Sequence, residues 1–298
     1  MKNKAVFAFL VVLTTSLMGS SFAVGKIGLE YISPLLLVGM RFTLAGIMMA
    51  VIVIVLKKKH PVKVNDWLKI FLIGALQTAG VMGAIFLSLR TITAGESAIL
   101  TFMNPLLVVI FGTLVLKISY RLLQWAGVFL GFLGVVVTMG GQVQLEVGTV
   151  FGFASAVFWA IGTLLIKKWG FRFDTWVLTA YQMFFGGILL LAASLLLENA
   201  VPVFTSASVA IILWLAIPAS IVQFSVWFYL LQNGNPGKVS AFLFLAPFFG
   251  VITGWLLLDE KIGISLLIGG TLIFAGIFLV NWPDKKAEES GEVEVVRG

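Results

Sequence analysis

Apolar runs of about 20 residues recur along the whole chain and are separated by short polar breaks. A helical run of this length spans about 30 Å, which matches the hydrocarbon core of a bilayer. Only 11% of the 298 residues are charged, against about 25% in soluble domains. The sequence therefore predicts an all-α membrane protein with ten transmembrane helices, at roughly 5–25, 34–56, 67–89, 94–116, 121–140, 147–167, 174–197, 208–232, 237–258 and 262–282.

The first apolar run admits a second interpretation. Lys2 and Lys4 precede it, and Ser21-Phe22-Ala23 has the small residues of a signal-peptide cleavage site. Cleavage would leave nine helices. We favour a retained first helix, because the internal repeat described below requires it. At the other end, residues 283–298 form a polar, Glu-rich tail that we predict to be disordered and cytoplasmic.

The basic residues fix an expected orientation. With ten helices and an internal N-terminus, sixteen Lys and Arg residues fall on inner segments and three on outer loops. Basic residues concentrate on the cytoplasmic side of membrane proteins, so both termini are expected in the cytoplasm of a multi-pass protein of the cell membrane. Anionic lipid headgroups then account for the net charge of +7, and no nucleic-acid partner is expected.

The chain also repeats itself. A shift of 142 residues places Gly95 on Gly237 and Pro105 on Pro247, and a shift of 141 places Gly46 on Gly187. We therefore predict one five-helix repeat over 1–142 and a second over 143–282. Five is an odd number, so the second repeat enters the membrane from the opposite side. Inverted repeats of this kind are typical of secondary transporters, whose substrate sites lie where the repeats meet.

Arg41 lies inside the second predicted helix, where a charge is costly and faces the bundle interior or a water-filled cavity. Two interpretations stay open. The side chain contacts a substrate carboxylate, or it binds backbone carbonyls and fixes helix packing. The second is slightly favoured, because Gln182 takes the equivalent place in the second half.

Other candidate substrate-binding residues lie at mid-depth. Pro105 and Pro247 each remove a backbone hydrogen bond and are expected to kink their helices and shape a cavity, and Asn104 adjoins the first kink. Buried amides need several hydrogen-bond partners, and aromatic walls suit an amphipathic substrate. These two arguments select Gln77 and Gln223 for polar contacts, and Trp159 and Trp227 for apolar walls.

Chemistry other than transport receives little support from the sequence. The chain has no Cys and a single His, His60 in a Lys-rich loop, and no Asp or Glu lies at mid-membrane. We therefore expect no catalytic residue, no metal site and no cofactor, and we interpret Glu96 as an interfacial helix cap. A membrane-embedded enzyme and a receptor remain the alternatives from other classes.

These motifs together resemble a known family. The stretches Leu245-Ala246-Pro247 and Gly254-Trp255-Leu256-Leu257-Leu258-Asp259-Glu260-Lys261 resemble the second-half signature of EamA-type transporters, in the drug/metabolite transporter superfamily. Ile32-Ser33-Pro34 followed by Arg41-Phe42 is similar to the first-half pattern. The chain departs from the family at two positions: Ile118 occupies a place that often holds an acidic residue, and Met18 stands where a Trp is expected.

The resemblance implies a basket-like bundle whose central cavity is lined largely by helices 1, 3, 4, 6, 8 and 9. It implies a secondary carrier that works by alternating access and most readily exports amino acids or related compounds. Import, or exchange of metabolites such as phosphorylated sugars, is the alternative within transporters. The expected partners are a small-molecule substrate and the lipid bilayer, and a homodimer is left open.

Overall fold

The computed structural model describes residues 4–117, 120–138, 146–199, 201–233, 242, 245–280 and 282. Within these residues the secondary structure is helical, without a strand. Helices α1 to α5 are Lys4–Gly28, Pro34–Val55, Val64–Ser88, Ala94–Thr101 continued by Asn104–Leu116, and Leu122–Thr138. Helices α6 to α10 are Val147–Trp169, Thr175–Leu197, Ser206–Ala216 continued to Asn233, Leu245–Leu258, and Ile264–Val280.

Seven of these helices are long and apolar enough to cross a bilayer, and α5, α9 and α10 are apolar but shorter. The chain is thus an all-helical, multi-pass membrane protein, as the apolar runs predict. The sequence places the start of the ninth helix at 237, whereas the described helix begins at Leu245. Residues 234–241 and the predicted tail 283–298 lie outside the described residues.

Two helices contain π-helical segments that the apolar pattern does not predict. One is Gly74–Gly80 within α3, and the other is Ile217–Val222 within α8. The shift of 142 residues carries the first segment onto 216–222, so the two segments are equivalent in the repeat. Proline at 218 accounts for the second, since it donates no backbone hydrogen bond.

Helix α4 is interrupted at Phe102 and Met103, and its second part restarts at Asn104 with Pro105 in the first turn. This is the break expected at Pro105, because proline is tolerated in the first turn of a helix and disfavoured in its interior. Pro247 lies in α9, of which the structure describes Leu245–Leu258.

Close helix crossings relate the two halves reciprocally. Gly127 faces Gly276, and Gly134 faces Gly269, and the shift of 142 exchanges these two contacts. In α2 and α7, Gly46 packs on Phe184 while Gly187 packs on Thr43. The shift of 141 exchanges this pair as well. Such reciprocity is what a two-fold relation between two repeats produces, and small residues let the helix backbones approach closely.

We expect Gly46→Ala to lower the free energy of unfolding by about 1–3 kcal/mol. A β-carbon there would lie 2.5 Å from the backbone nitrogen of Phe184, so the helices must separate. Gly263→Ala is the matched control, since no atom lies within 4 Å of its added β-carbon. Thermal unfolding in detergent measures both variants. Equal melting temperatures for the two would contradict this account of the crossing.

Candidate functional site

A cavity of about 230 Å³ lies between the helices of the bundle. Its walls come from α1, α2, α3, the break in α4, α6, α7 and α8. Arg41 is the charged residue in its lining. The lining consists of Met18, Ser21, Phe22, Arg41, Phe42, Gln77, Thr78, Val81, Met82, Ile85, Phe86, Phe102, Trp159, Ile166, Gln182, Ala219, Gln223, Phe224 and Trp227.

The cavity lies between the two repeats, because equivalent positions of both copies line it. The shift of 141 relates two pairs of lining residues, and the shift of 142 relates four more. Each member of a pair faces the same space from the opposite repeat, as expected for a site on the pseudo-two-fold axis. The pairs are Met18 with Trp159, Arg41 with Gln182, Gln77 with Ala219, Val81 with Gln223, Met82 with Phe224, and Ile85 with Trp227.

Arg41 connects α2 to the π-helical segment of α8. Its Nε donates to the hydroxyl of Ser220 at 3.0 Å, and its Nη2 donates to the carbonyl oxygen of Ala219 at 2.9 Å. The guanidinium also lies 4.7 Å from the centre of the Phe42 ring. The packing role weighed for Arg41 from the sequence is therefore present, and the same side chain borders the cavity.

Three glutamine side chains on the cavity wall carry polar atoms without a hydrogen-bond partner. They are Oε1 of Gln77, Oε1 of Gln182 and Nε2 of Gln223, each buried from solvent. Gln182 and Gln223 are only 6% and 3% exposed. Buried polar groups are nearly always paired in folded proteins, so amides that remain unpaired at a cavity are suited to bind a ligand.

Aromatic side chains form much of the remaining wall. The ring of Phe102 packs edge-on against Trp159 at 5.3 Å and lies 6.2 Å from the ring of Phe22. The break in α4 brings Phe102 to the cavity. Phe86 packs beside Gly25 of α1 and is almost fully buried, as is Phe22. We call Phe22, Phe86 and Phe102 the aromatic layer of the wall; Phe86 and Leu89 both lie beside Gly25, the neighbour of Lys26 in α1.

Five of the eight residues selected from the sequence meet in this cavity: Arg41, Gln77, Trp159, Gln223 and Trp227. Asn104, Pro105 and Pro247 lie outside its lining. The lining also differs from the expected set of helices. Helices α2 and α7 contribute Arg41, Phe42 and Gln182, and the described part of α9 contributes no residue.

Fourteen of the nineteen lining residues were not selected from the sequence, and two of them illustrate why. Gln182 is the repeat-equivalent of Arg41, so the internal repeat itself carried the signal for it. Phe102 is one Phe among 26 in the chain, and nothing local distinguishes it. Only the helix break before Pro105 directs attention to its position.

A second pocket, of about 650 Å³, lies around Lys26 and Leu89 and shares no lining residue with the central cavity. Its rim carries charged residues of both signs, including Lys26, Glu30, Arg90 and Glu198. Nearby, Lys26 pairs with Glu260 at 3.0 Å, and the Glu260 carboxylate accepts hydrogen bonds from the backbone N–H groups of Ala94 and Gly95. The ends of α1, α4 and α9 are therefore tied together at this side of the protein.

Glu96 belongs to a capping box at the start of α4. Its carboxylate accepts a hydrogen bond from the backbone N–H of Thr93 at 3.0 Å, and the Thr93 hydroxyl accepts one from the N–H of Glu96 at 3.1 Å. The interpretation of Glu96 as a helix cap is confirmed.

Known proteins resemble the chain over its whole length. The EamA-like transporter family matches residues 5–140 and, in a second copy, residues 146–282. The uncharacterized transporter YvbV of Bacillus subtilis is 29% identical, with 95% of this chain and 93% of that protein covered. An uncharacterized transporter of Archaeoglobus fulgidus is 31% identical, with 91% and 95% covered.

A solved crystal structure has the same fold, with a TM-score of 0.64 at 20% identity, covering 93% of this chain and 96% of that one. Fold and sequence therefore agree over both halves. The central cavity, two matching copies of one family and transporter relatives of equal length all lead to one assignment: the chain is a member of the EamA-like transporter family, a membrane transporter of small molecules within the drug/metabolite transporter superfamily.

Proposed function

We propose that the protein is a secondary carrier that exports a small metabolite by alternating access, with amino acids and related compounds as the leading class. The observation that carries this proposal is the central cavity, to which equivalent positions of both repeats contribute. A site on the axis between two similar halves faces either side in turn when the halves rock against each other.

The topology belongs to the same proposal. Ten crossings in two inverted five-helix repeats, 1–142 and 143–282, are supported by the reciprocal contacts of Gly127, Gly134, Gly269 and Gly276. The 17 residues of α10 extend about 26 Å at 1.5 Å per residue. That length is slightly under the hydrocarbon thickness and is accommodated at modest cost. The charge distribution supports cytoplasmic termini in the cell membrane.

Five residues are proposed as direct substrate contacts: Arg41, Gln77 and Gln223 for polar groups, and Trp159 and Trp227 for apolar ones. Asn104, Pro105 and Pro247 are proposed to act at a distance, by fixing the shape of α4 and α9. For α4 the route is short, because the break before Pro105 brings Phe102 into the wall.

Exchange of phosphorylated sugars is disfavoured. Phosphate recognition favours several Arg or Lys residues around the ligand. Arg41 is the one basic residue among the described lining residues of the cavity. Lys26 lines the second pocket instead. An enzymatic role has no such observation in its favour, and the relatives are described as transporters.

The direct test is counterflow in proteoliposomes loaded with one unlabelled metabolite at a time. We expect an amino acid or related compound inside the vesicles to drive accumulation of its labelled form. Liposomes without protein, and liposomes with a thermally unfolded sample, are the controls. Absence of counterflow across the metabolite panel, with the protein folded and reconstituted, would overturn the carrier proposal.

We expect Gly162→Ala to reduce transport while folding is preserved. The added β-carbon would contact Oε1 of Gln77, which lines the cavity, so the Gln77 amide must move from its present position. A change of one carbon in a small pocket alters binding by about tenfold or more, so KM is expected to rise about tenfold with little change in melting temperature.

The matched control for Gly162→Ala is Gly270→Ala, whose added β-carbon meets only the tip of Ile99 at 3.3 Å, away from the cavity. Both variants are compared by counterflow and by thermal unfolding. An unchanged KM in Gly162→Ala would remove the Gln77 amide from the substrate site.

A further inference from the structure

Arg41 has an unbalanced charge. Its side chain is 3% exposed, and a guanidinium is always protonated and carries five N–H donors. Two of the five are used by Ser220 and Ala219, which are both neutral. No carboxylate pairs with Arg41 in the part of the chain that the structure describes. The cavity therefore carries one uncompensated positive charge.

An uncompensated charge at this depth is costly, and such residues in membrane proteins usually mark a substrate or ion pathway. The internal repeat gives a second argument that the charge of Arg41 serves binding. The equivalent position in the second half holds Gln182, which fills the same place without a charge. Packing at this position therefore does not require a cation, whereas binding an anion does.

The neutral polar groups of the cavity add one unpaired donor and two unpaired acceptors to the charge of Arg41. The unpaired Nε2 of Gln223 supplies a further donor, and the unpaired oxygens of Gln77 and Gln182 supply acceptors. Acidic side chains are missing from the lining as described. An amine on the substrate therefore finds amide oxygens and aromatic faces there, but no opposite charge.

Size and wall chemistry define the rest of the ligand. The volume of 230 Å³ equals the space of about eight water molecules, below the usual range for drug-sized ligands. Seven of the lining residues are aromatic: Phe22, Phe42, Phe86, Phe102, Trp159, Phe224 and Trp227. The cavity is thus suited to one small apolar group joined to one polar head.

We propose that the transported compound is a small monoanion with an apolar body, recognised through its carboxylate by Arg41, and that an amino group is tolerated but not required. This inference rests on the proposed function and narrows its substrate class. Amino acids then bind as carboxylates, and the corresponding acids without nitrogen bind as well. Amines and alcohols of the same skeleton do not.

Four probes of one carbon skeleton separate these groups: 3-phenylpropanoate, phenylalanine, 3-phenylpropan-1-amine and 3-phenylpropan-1-ol. Binding to the full-length protein in lipid nanodiscs is followed by the shift in melting temperature and by Trp fluorescence, since Trp159 and Trp227 line the site. A ligand that binds only the folded state raises the melting temperature with concentration. We expect the two carboxylates to raise the melting temperature at concentrations at least tenfold lower than those that the amine or the alcohol requires.

The repeat supplies the decisive variants. Arg41→Gln copies the residue of the second half, and is expected to weaken 3-phenylpropanoate at least tenfold while the alcohol is unaffected. The double variant Arg41→Gln with Gln182→Arg moves the charge to the equivalent position across the axis, and is expected to restore binding of the acid. Arg41→Lys, which keeps the charge, is measured as well in case the first variant does not fold.

The outcomes are separable from those of the transport test. Binding of the amine or the alcohol as strong as that of the acid overturns the inference, as does full retention of acid binding in Arg41→Gln, and transport then remains intact for other cargo. If the protein binds the acid selectively but shows counterflow of no compound, carboxylate recognition is supported and the carrier function is contradicted.

Discussion

Glu198→Ala is expected to lower the free energy of unfolding by about 3 kcal/mol. Glu198 ends α7, where a negative charge is unfavourable for its own helix. It acts on α2 instead. Its carboxylate accepts hydrogen bonds from the backbone N–H groups of Leu35 and Leu36 at 3.0 and 3.2 Å.

No local residue substitutes for this contact. Ser33 is the N-cap of α2, yet its side chain makes no capping hydrogen bond. The Ser33 hydroxyl donates to Glu198 at 2.7 Å, as does that of Ser194. Loss of the carboxylate leaves the first turn of α2 uncapped and separates it from α7, the helix that α2 crosses at Gly46 and Gly187.

The measurement is thermal unfolding in detergent, with Glu146→Ala as the matched control. Glu146 is also a glutamate at a helix end, but it is exposed and makes no side-chain capping bond with α6. Its variant is expected to unfold within a degree or two of the parent, because surface changes of this kind cost at most about 0.5 kcal/mol. Equal losses in the two variants would refute the capping role of Glu198.

The helices were predictable because their signal is local and repeated. Each apolar run encodes its own helix, and lipid selects for it without reference to the rest of the chain. The glycines at 46, 127, 134, 187, 269 and 276 were predictable in pairs, since both copies of the repeat keep a small residue at the same crossing. Five of the nineteen lining residues of the cavity were predictable from a charge, amides and aromatic residues at mid-depth.

The rest depends on contacts that no short stretch of sequence encodes. The segment Gly74–Gly80 has no proline and reads as an ordinary apolar helix, yet its π-helical turn brings Gln77 and Thr78 to the cavity wall. Glu198 is 162 residues from Leu36, so its capping role is visible only after α2 and α7 have packed. Arg41 bonds to Ala219 and Ser220 across 178 and 179 residues for the same reason.

The second large effect is expected at the end of the bundle that holds Lys26 and Glu260. Glu260 ties three helices together through Lys26 of α1 and the backbone N–H groups of Ala94 and Gly95 at the start of α4. Its side chain is 12% exposed. We infer that this tie keeps the Lys26 side of the cavity closed, and we expect Glu260→Gln, which keeps the shape and removes the charge, to weaken the closed state by about 1–2 kcal/mol. That change shifts the ratio of open to closed molecules by a factor of about 5–30.

A cysteine introduced into the cavity reports this shift directly, because the chain has no Cys of its own. Ser21→Cys changes one atom of the lining at a position beside Phe22 of the aromatic layer. In reconstituted vesicles of defined orientation, an impermeant maleimide added on the side of Glu260 should label Ser21→Cys 5–30 times faster when Glu260→Gln is also present.

The control is Glu96→Gln, which removes a carboxylate from the same end of α4 but breaks contacts only within its own capping box. Its labelling rate should equal that of Ser21→Cys alone. Both variants weaken the start of α4, but only Glu260→Gln also releases α1 and α9 from it. The comparison therefore distinguishes control of access to the cavity from simple helix capping. If Glu96→Gln accelerates labelling as much as Glu260→Gln, helix fraying rather than the tie between three helices controls access to the cavity. If neither variant accelerates labelling, the aromatic layer of Phe22, Phe86 and Phe102 keeps the Lys26 side of the cavity closed without the ion pair.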